Sequence, residues 1–402
     1  MDGLSRRNVL LAGGGALGAF GALGVAGPAW AWSASGSVAG SGAGADPRWV
    51  WDEEADPLVA SLLERGDVPK VNKLLRTWTR NGQALPDGLP PDVRGFIEKA
   101  RRLPPWTDRS KLDTMVEVTR AKGFWINTLY GVASGLMSPA IPREAIAVYY
   151  SKGGADMKDR IAKTSLLGAD ITQLNAYEPE GRMIVSSVKT RLVHAAVRHL
   201  LPQSPQWAQS GSGQIPISQN EMMVTWHSLP TTVMRKIRDW KITMAPAHSD
   251  AFLHLWQIAG HMLGIRDEYI PATWAAAETQ AQQVLDPVMG PTREGVELTE
   301  LIMKIVSDVD GGLSRPLLNA LIRYVNGDEV AGWIGLPREP FWDPVVRDGF
   351  PRFVALREKL VPLPLVPRIA WTIDEILRKA TLVLLGSGRP ISIEMPTANR
   401  PS

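Results

Sequence analysis

The sequence predicts an all-α fold. Three observations carry that reading: apolar residues recur at helical spacing from Asp56 onward, proline or glycine punctuates successive apolar runs, and strand-like alternation is scarce. The chain contains no cysteine, so no disulfide can brace it. Stability has to come from a large core, which a 402-residue chain with 45% apolar residues can fill.

Taken in order, the chain opens with Ser5, Arg6, Arg7, Asn8, Val9, Leu10 and Leu11, then an Ala/Gly-rich apolar run, then Ala29, Trp30 and Ala31 as a small-x-small cleavage site. Charged, apolar and cleavable parts in that order predict a twin-arginine signal peptide over residues 1–31. That route moves folded proteins. The expectation is therefore passage through the twin-arginine translocase, with any cofactor already inserted, and an extracellular location. Residues 32–46 are rich in Gly, Ala and Ser and predict a flexible linker. Residues 47–386 are expected to form one folded domain, and 387–402 a loose tail.

Within the folded part, periodicity predicts helices over 58–64, 70–79, 92–102, 111–136, 142–151, 157–169, 182–200, 250–263, 274–285, 297–309, 317–325 and 369–385, with a Pro-punctuated region over 336–367. Gly264 is the expected stop of the 250–263 helix. The apolar stretch from Gly123 to Ile141 is nearly long enough to span a bilayer. It contains Asn127, Thr128, Ser134 and Ser138, and reads as a buried core helix rather than a stable membrane insertion. The formal charge is only +3, and acidic and basic residues interleave along the predicted helices, which excludes a nucleic-acid footprint. Fifteen tryptophans supply large apolar walls for a core or for a greasy ligand.

Chemistry is concentrated mid-chain, where all six histidines fall: His194, His199, His227, His248, His254 and His261. The HExxH, Glu-x-x-His, P-loop, Rossmann and GxSxG signatures are absent. Without thiolates or a carboxylate-rich metal box, the remaining common way for helices to hold a redox metal is a histidine on a non-covalent haem. Periodicity along 182–200 places Val185, Val188, Leu192, Ala196 and His199 on one apolar stripe and so nominates His199, with His194 nearer Thr190, Arg191 and Arg198. His254 and His261 lie two turns apart and can form a metal pair, although packing is the commoner role for such histidines. Arg160, Lys163, Thr164 and Leu167 line one helical face, and Glu144 can fold back to pair with Arg160.

Two segments, Arg160 to Asp170 (RIAKTSLLGAD) and Arg191 to Leu201 (RLVHAAVRHLL), together with Glu144 and the twin-arginine leader, resemble the latex clearing proteins, secreted rubber oxygenases. The resemblance covers essentially the whole mature chain. It implies a globin-like helical core with additional N- and C-terminal helices and one non-covalent haem b. The implied reaction is endo-type cleavage of poly(cis-1,4-isoprene) double bonds by O2, giving oligo-isoprenoids with an aldehyde and a ketone end. By position it implies His194, rather than His199, as proximal iron ligand, and Lys163 as a distal ligand of a closed state. Glu144 is then the base that takes an allylic proton, Arg160 its guanidinium partner, and Thr164 a nearby hydrogen-bonding group. The polyisoprene polymer is the expected partner, bound through apolar surface with Leu167 as a tunnel liner, and a monomer is expected. Two alternatives stay open: a secreted haem-binding or electron-transfer protein, and a metal-free structural or lipid-binding helical protein.

Overall fold

Helical spacing becomes helix along most of the chain in this computed structural model, which describes residues 31–32, 36–40, 42–43, 45–151, 156–209, 215–360, 372, 382 and 385–400. The signal-peptide expectation over 1–30 lies outside the described residues, as does most of the helix expected over 369–385. Among the described residues the only strands are β1 (Ala31–Trp32) and β2 (Gly42–Ala43), a two-residue antiparallel pair. Everything else of regular structure is helical, so the chain is all-α.

The helices are α1 (Ala55–Glu64), α2 (Val68–Leu75), α3 (Pro91–Ala100), α4 (Arg109–Leu129), α5 (Pro142–Tyr150), α6 (Met157–Ile171), α7 (Met183–Leu200) and α8 (Pro205–Gln209). They continue as α9 (Gln219–Trp226), α10 (Thr232–Asp239), α11 (Pro246–Met262), α12 (Trp274–Val284), α13 (Arg293–Ser307), α14 (Arg315–Asn326), α15 (Asp328–Trp333) and α16 (Trp342–Leu360). Helices α4 and α11 pack along one another, α1 lies on α7, and α14 on α16. One main apolar cluster runs through α1 to α4, α7 and α9 to α12, with Trp78, Trp125 and Phe252 fully buried in it.

Helix α11 begins a turn earlier than the 250–263 expectation because Pro246 supplies a preset φ at its first position, and it stops at Gly264 with φ +94°. The Pro-punctuated region becomes α16, which carries Pro351 inside it. The expected 111–136 helix changes winding: α4 passes into a π-helical turn over Tyr130–Gly135, then a 3-10 turn over Ser138–Ala140. A second π-helical turn, His227–Thr231, joins α9 to α10 and packs against the first. Pro230 sits inside it, and a proline lacks the amide proton that α-helical pairing needs. Among the described residues no helix is long and apolar enough to cross a membrane.

The linker and tail depart from expectation. Ser37 is buried and bridges Pro271, the Val38 amide donates to the Ile270 carbonyl at 2.9 Å, and Ala272 donates back to Gly36 at 3.1 Å. The expected flexible linker is thus paired along part of its length, because small residues let the backbone approach closely enough to hydrogen-bond. Residues of the expected loose tail also pack: Ile393 and Met395 are buried, and the Asn72 amide both donates to the Met395 carbonyl at 2.9 Å and accepts from its N–H at 3.1 Å. Arg76 pairs with Glu394, and Asn399 donates to the Leu200 carbonyl at the end of α7.

Candidate active site

Helices α5, α6 and α7 carry the residues singled out in the sequence. The placement of α6 against α7 is fixed at their junction by Asp170, a fully buried carboxylate. It accepts from Gln173 at 2.9 Å, from Arg182 and from Ser186 at 2.6 Å. The N-terminus of α7 has no cap from its own Arg182; the Asn81 carbonyl oxygen accepts the Ile184 amide at 3.0 Å instead, from more than a hundred residues upstream. Farther along, α7 is tied to the region of α1 by two arginines. Arg191 binds the carboxylate of buried Asp52, and Arg198 grips Asp56 at 2.8 Å.

Of the stripe on α7, Val185, Val188, Leu192 and Ala196 are buried in the core, and His199 beside them is half-buried. His194 differs from the paired core histidines. Its Nδ1 is buried without a hydrogen-bond partner among the described residues. Burial, then the charges of Arg198 and Arg160, push its pKa down to about 3, so its imidazole is neutral at physiological pH. His227, by contrast, bridges Thr231 and Gln280 with its two nitrogens. His254 accepts from the Asp108 amide at 2.8 Å and contacts Gln257, and His261 meets Asp267 at 2.7 Å. The His254 and His261 spacing is therefore used in packing and hydrogen bonding, and no cluster of three metal-ligating side chains occurs among the described residues.

Glu144, in the first turn of α5, is half-buried and hydrogen-bonded at both oxygens, but not by the partner expected. Ser138 donates to its Oε2 at 2.7 Å, and Thr225 of α9 donates to its Oε1. Burial raises its pKa above the ordinary carboxylate value; the two hydroxyl hydrogen bonds oppose this, nearby Glu221 adds to it, and Arg160 opposes it weakly. Arg160 thus acts on Glu144 through space, and the expected direct pair is not formed. The hydroxyls of Ser138 and Thr225 already occupy the carboxylate. Burial lowers the guanidinium's own pKa, with Glu144 offsetting part of that. Its field reaches both Glu144 and His194, so it stands electrostatically between them.

On the same face of α6 as Arg160, Thr164 is exposed and Leu167 is partly buried against the main core. Lys163 forms an i,i+4 ion pair with Asp159 at 2.6 Å. Sequence reasoning missed Ser138, Thr225 and the pair behind them, Arg143 and Glu221. A lone hydroxyl has no spacing signature, and no helix was expected over α9, where Thr225 and Glu221 lie one turn apart.

The arrangement offers a neutral, unpaired imidazole, an adjacent cation and a carboxyl of raised pKa, in a largely apolar surround. Residues 118–357 match the family model described as ER-bound oxygenase mpaB/B'/Rubber oxygenase, catalytic domain. The chain is 57% identical over 408 residues to a protein named rubber oxygenase from Streptomyces sp. (strain K30), covering the whole of both chains. It is also similar to the solved structure described as latex clearing protein LCP in the closed state, at a TM-score of 0.82 and 57% identity, covering 92% of this chain and 100% of that one.

Proposed function

Because the chain belongs to the rubber oxygenase family, an oxygenase family that uses O2, we propose that it is a secreted haem b dioxygenase cleaving poly(cis-1,4-isoprene) endo-wise to oligo-isoprenoids with aldehyde and ketone ends. The observation that carries the reading is His194: a neutral ring, buried at Nδ1 and unpaired there, beside Arg160 and in reach of the field that also acts on Glu144. A histidine kept for packing finds hydrogen-bond partners, as His227, His254 and His261 do; an unpaired neutral imidazole suits a metal. The residues present therefore fit a haem, which His194 would hold, with Lys163 as the residue that would also ligate the iron in a closed state. When bound, the haem supplies the one-electron chemistry that lets ground-state O2 react with a C=C bond.

The chain's own residues do the rest. Glu144 takes the allylic proton at one of its carboxylate oxygens, a role open to it only when ionised. Arg160 compensates that charge from a distance, and Thr164 offers a hydrogen bond on the same face. The substrate is an uncharged hydrocarbon, so it is held by apolar surface alone, Leu167 included, which also excludes water from the carboxyl. Lys163 is engaged by Asp159 in this structure, which favours a protein that opens for turnover over an electron-transfer protein whose iron stays closed. Export through the twin-arginine translocase, one catalytic domain over 47–386 and a monomeric state complete the proposal.

The test is a visible spectrum of the purified protein together with dissolved oxygen followed during incubation with polyisoprene latex. A Soret band and latex-dependent uptake are expected. A Soret band without uptake would favour the electron-transfer reading, and its absence from folded, fully supplied protein would overturn the haem assignment.

A further inference from the structure

Helices α5 and α9 are joined by two side-chain rungs. Arg143 of α5 binds Glu221 of α9, and the next residue, Glu144, accepts a hydrogen bond from Thr225, one turn farther along α9. From the other side, Ser138, the first residue of the 3-10 turn before α5, donates to the second Glu144 oxygen at 2.7 Å. Each oxygen of one carboxylate therefore has its own hydroxyl donor, and the donors come from separate elements. The Glu221 carboxylate is itself held by Arg143 and by the Ile217 amide, so the outer rung is fixed independently of the inner one. The charged groups facing Glu144 are Glu221 from α9, Arg160 from α6 and Arg143 from its own helix.

We propose that Thr225 and Ser138 are positioning residues for the Glu144 base: their hydroxyls aim the carboxylate and hold it in the ionised form that can accept a proton. The inference rests on the reading of Glu144 as the base. A hydroxyl has one proton to give, and when that proton is directed at a carboxylate oxygen it stabilises the charge, roughly twice as strongly as a neutral hydrogen bond. Burial works in the opposite direction on the same group, so the two donors act against the rise that burial causes. The orienting effect is separate. With each oxygen engaged by a donor from a separate element, rotation of the carboxyl is restrained.

The experiment compares wild-type holoenzyme with Thr225→Val, Thr225→Ser, Ser138→Ala and Glu144→Gln. Infrared difference titration identifies the Glu144 carboxyl as the protonation band that Glu144→Gln removes, and latex-dependent oxygen uptake is measured across pH on the same samples. Thr225→Val and Ser138→Ala are expected to move the midpoint of that band upward by about one pH unit. The acid limb of the uptake profile should move with it, the Soret band should stay unchanged, and Thr225→Ser should restore wild-type values. Equal midpoints in all folded variants, or no band removed by Glu144→Gln, would overturn the proposal. If wild-type enzyme took up no oxygen with latex, the oxygenase reading would fall, while the infrared midpoints would still decide whether the hydroxyls control this carboxyl.

Discussion

At the scale of single residues, the histidines separate by what their nitrogens do. Buried ring nitrogens that find partners are structural, and the one left unpaired in α7 is the candidate ligand. Replacing His194 by Ala is therefore expected to abolish haem retention and latex cleavage while leaving the helical circular dichroism intact; retention of a full Soret band would contradict its assignment. Lys163→Ala should keep both haem and cleavage, because Lys163 is engaged by Asp159 rather than by Glu144 or Arg160; loss of cleavage would contradict that minor role. The pH profile follows from Glu144. Burial raises its pKa despite the two hydroxyls, and only the ionised form accepts a proton, so the rate should fall as pH drops through a midpoint above the usual carboxylate range. A fall only at ordinary carboxylate pH would argue for a solvated group. Periodicity nominated His199 over His194 because it ranks residues by the apolarity of their neighbours. A ligand-bearing face carries cations such as Arg191 and Arg198, which periodicity scores as solvent-facing. The family resemblance points to His194 instead; spacing alone did not contain that choice.

At the scale of elements, the site depends on how closely helices approach. A Cβ on Gly295 in α13 would lie 2.1 Å from the Pro139 carbonyl oxygen, in the turn that presents Ser138 to Glu144. The Gly290 amide also donates to the Ala140 carbonyl at 2.8 Å, so this turn is held from the α13 side at two points. Gly295→Ala should cost on the order of 1–3 kcal/mol of stability through overpacking, and should lower the latex cleavage rate as Ser138 is displaced. Thermal unfolding and initial rates check the two effects separately. On the opposite side, Asp52 binds Arg191 of α7 and accepts the Ala55 amide at 3.0 Å, while a Cβ on Gly264 would lie 2.7 Å from the same carboxylate. Burial raises the Asp52 pKa, but the Arg191 hydrogen bonds and charge outweigh it and hold the group below its ordinary value. A depressed folded pKa contributes stability above the unfolded carboxylate pKa and loses it as pH falls through the folded one. Asp52→Asn should therefore destabilise by roughly 1–3 kcal/mol at neutral pH, by leaving the buried Arg191 with only the exposed Glu54 to compensate it. Glu54→Gln, at the exposed partner of the same arginine, should change stability by less than about 1 kcal/mol. Similar losses in the two variants would contradict the role given to burial.

At the scale of the whole molecule, the architecture was readable wherever apolar periodicity was long. Helices α4 to α7 and α11 to α14 fall close to their expected places, since each presents an apolar stripe to the main cluster or to one of the smaller ones beside it. What escaped was structure specified by backbone geometry or by distant partners. The π-helical turns at Tyr130–Gly135 and His227–Thr231 break the 3.6-residue period, and the Met-rich α9 between Ser218 and Pro230 gave no amphipathic contrast. The tail after Gly388 packs through two hydrogen bonds from Asn72 and the burial of Ile393 and Met395, contacts that span more than three hundred residues and leave no local pattern. Likewise, the Gly/Ala/Ser stretch before Asp46 pairs with the 270–272 segment through backbone groups that every residue possesses. The apolar packing that replaces disulfides in this cysteine-free chain includes smaller clusters that join α5 to α6 and to α7, and so connects stability to the chemistry proposed. That chemistry is tested most directly by incubating the holoenzyme with polyisoprene latex under 18O2 and trapping the chain ends by immediate reduction. Shortened chains with label at both the aldehyde-derived and the ketone-derived end are predicted, and unlabelled ends, or chains that stay uncut, would contradict the assignment.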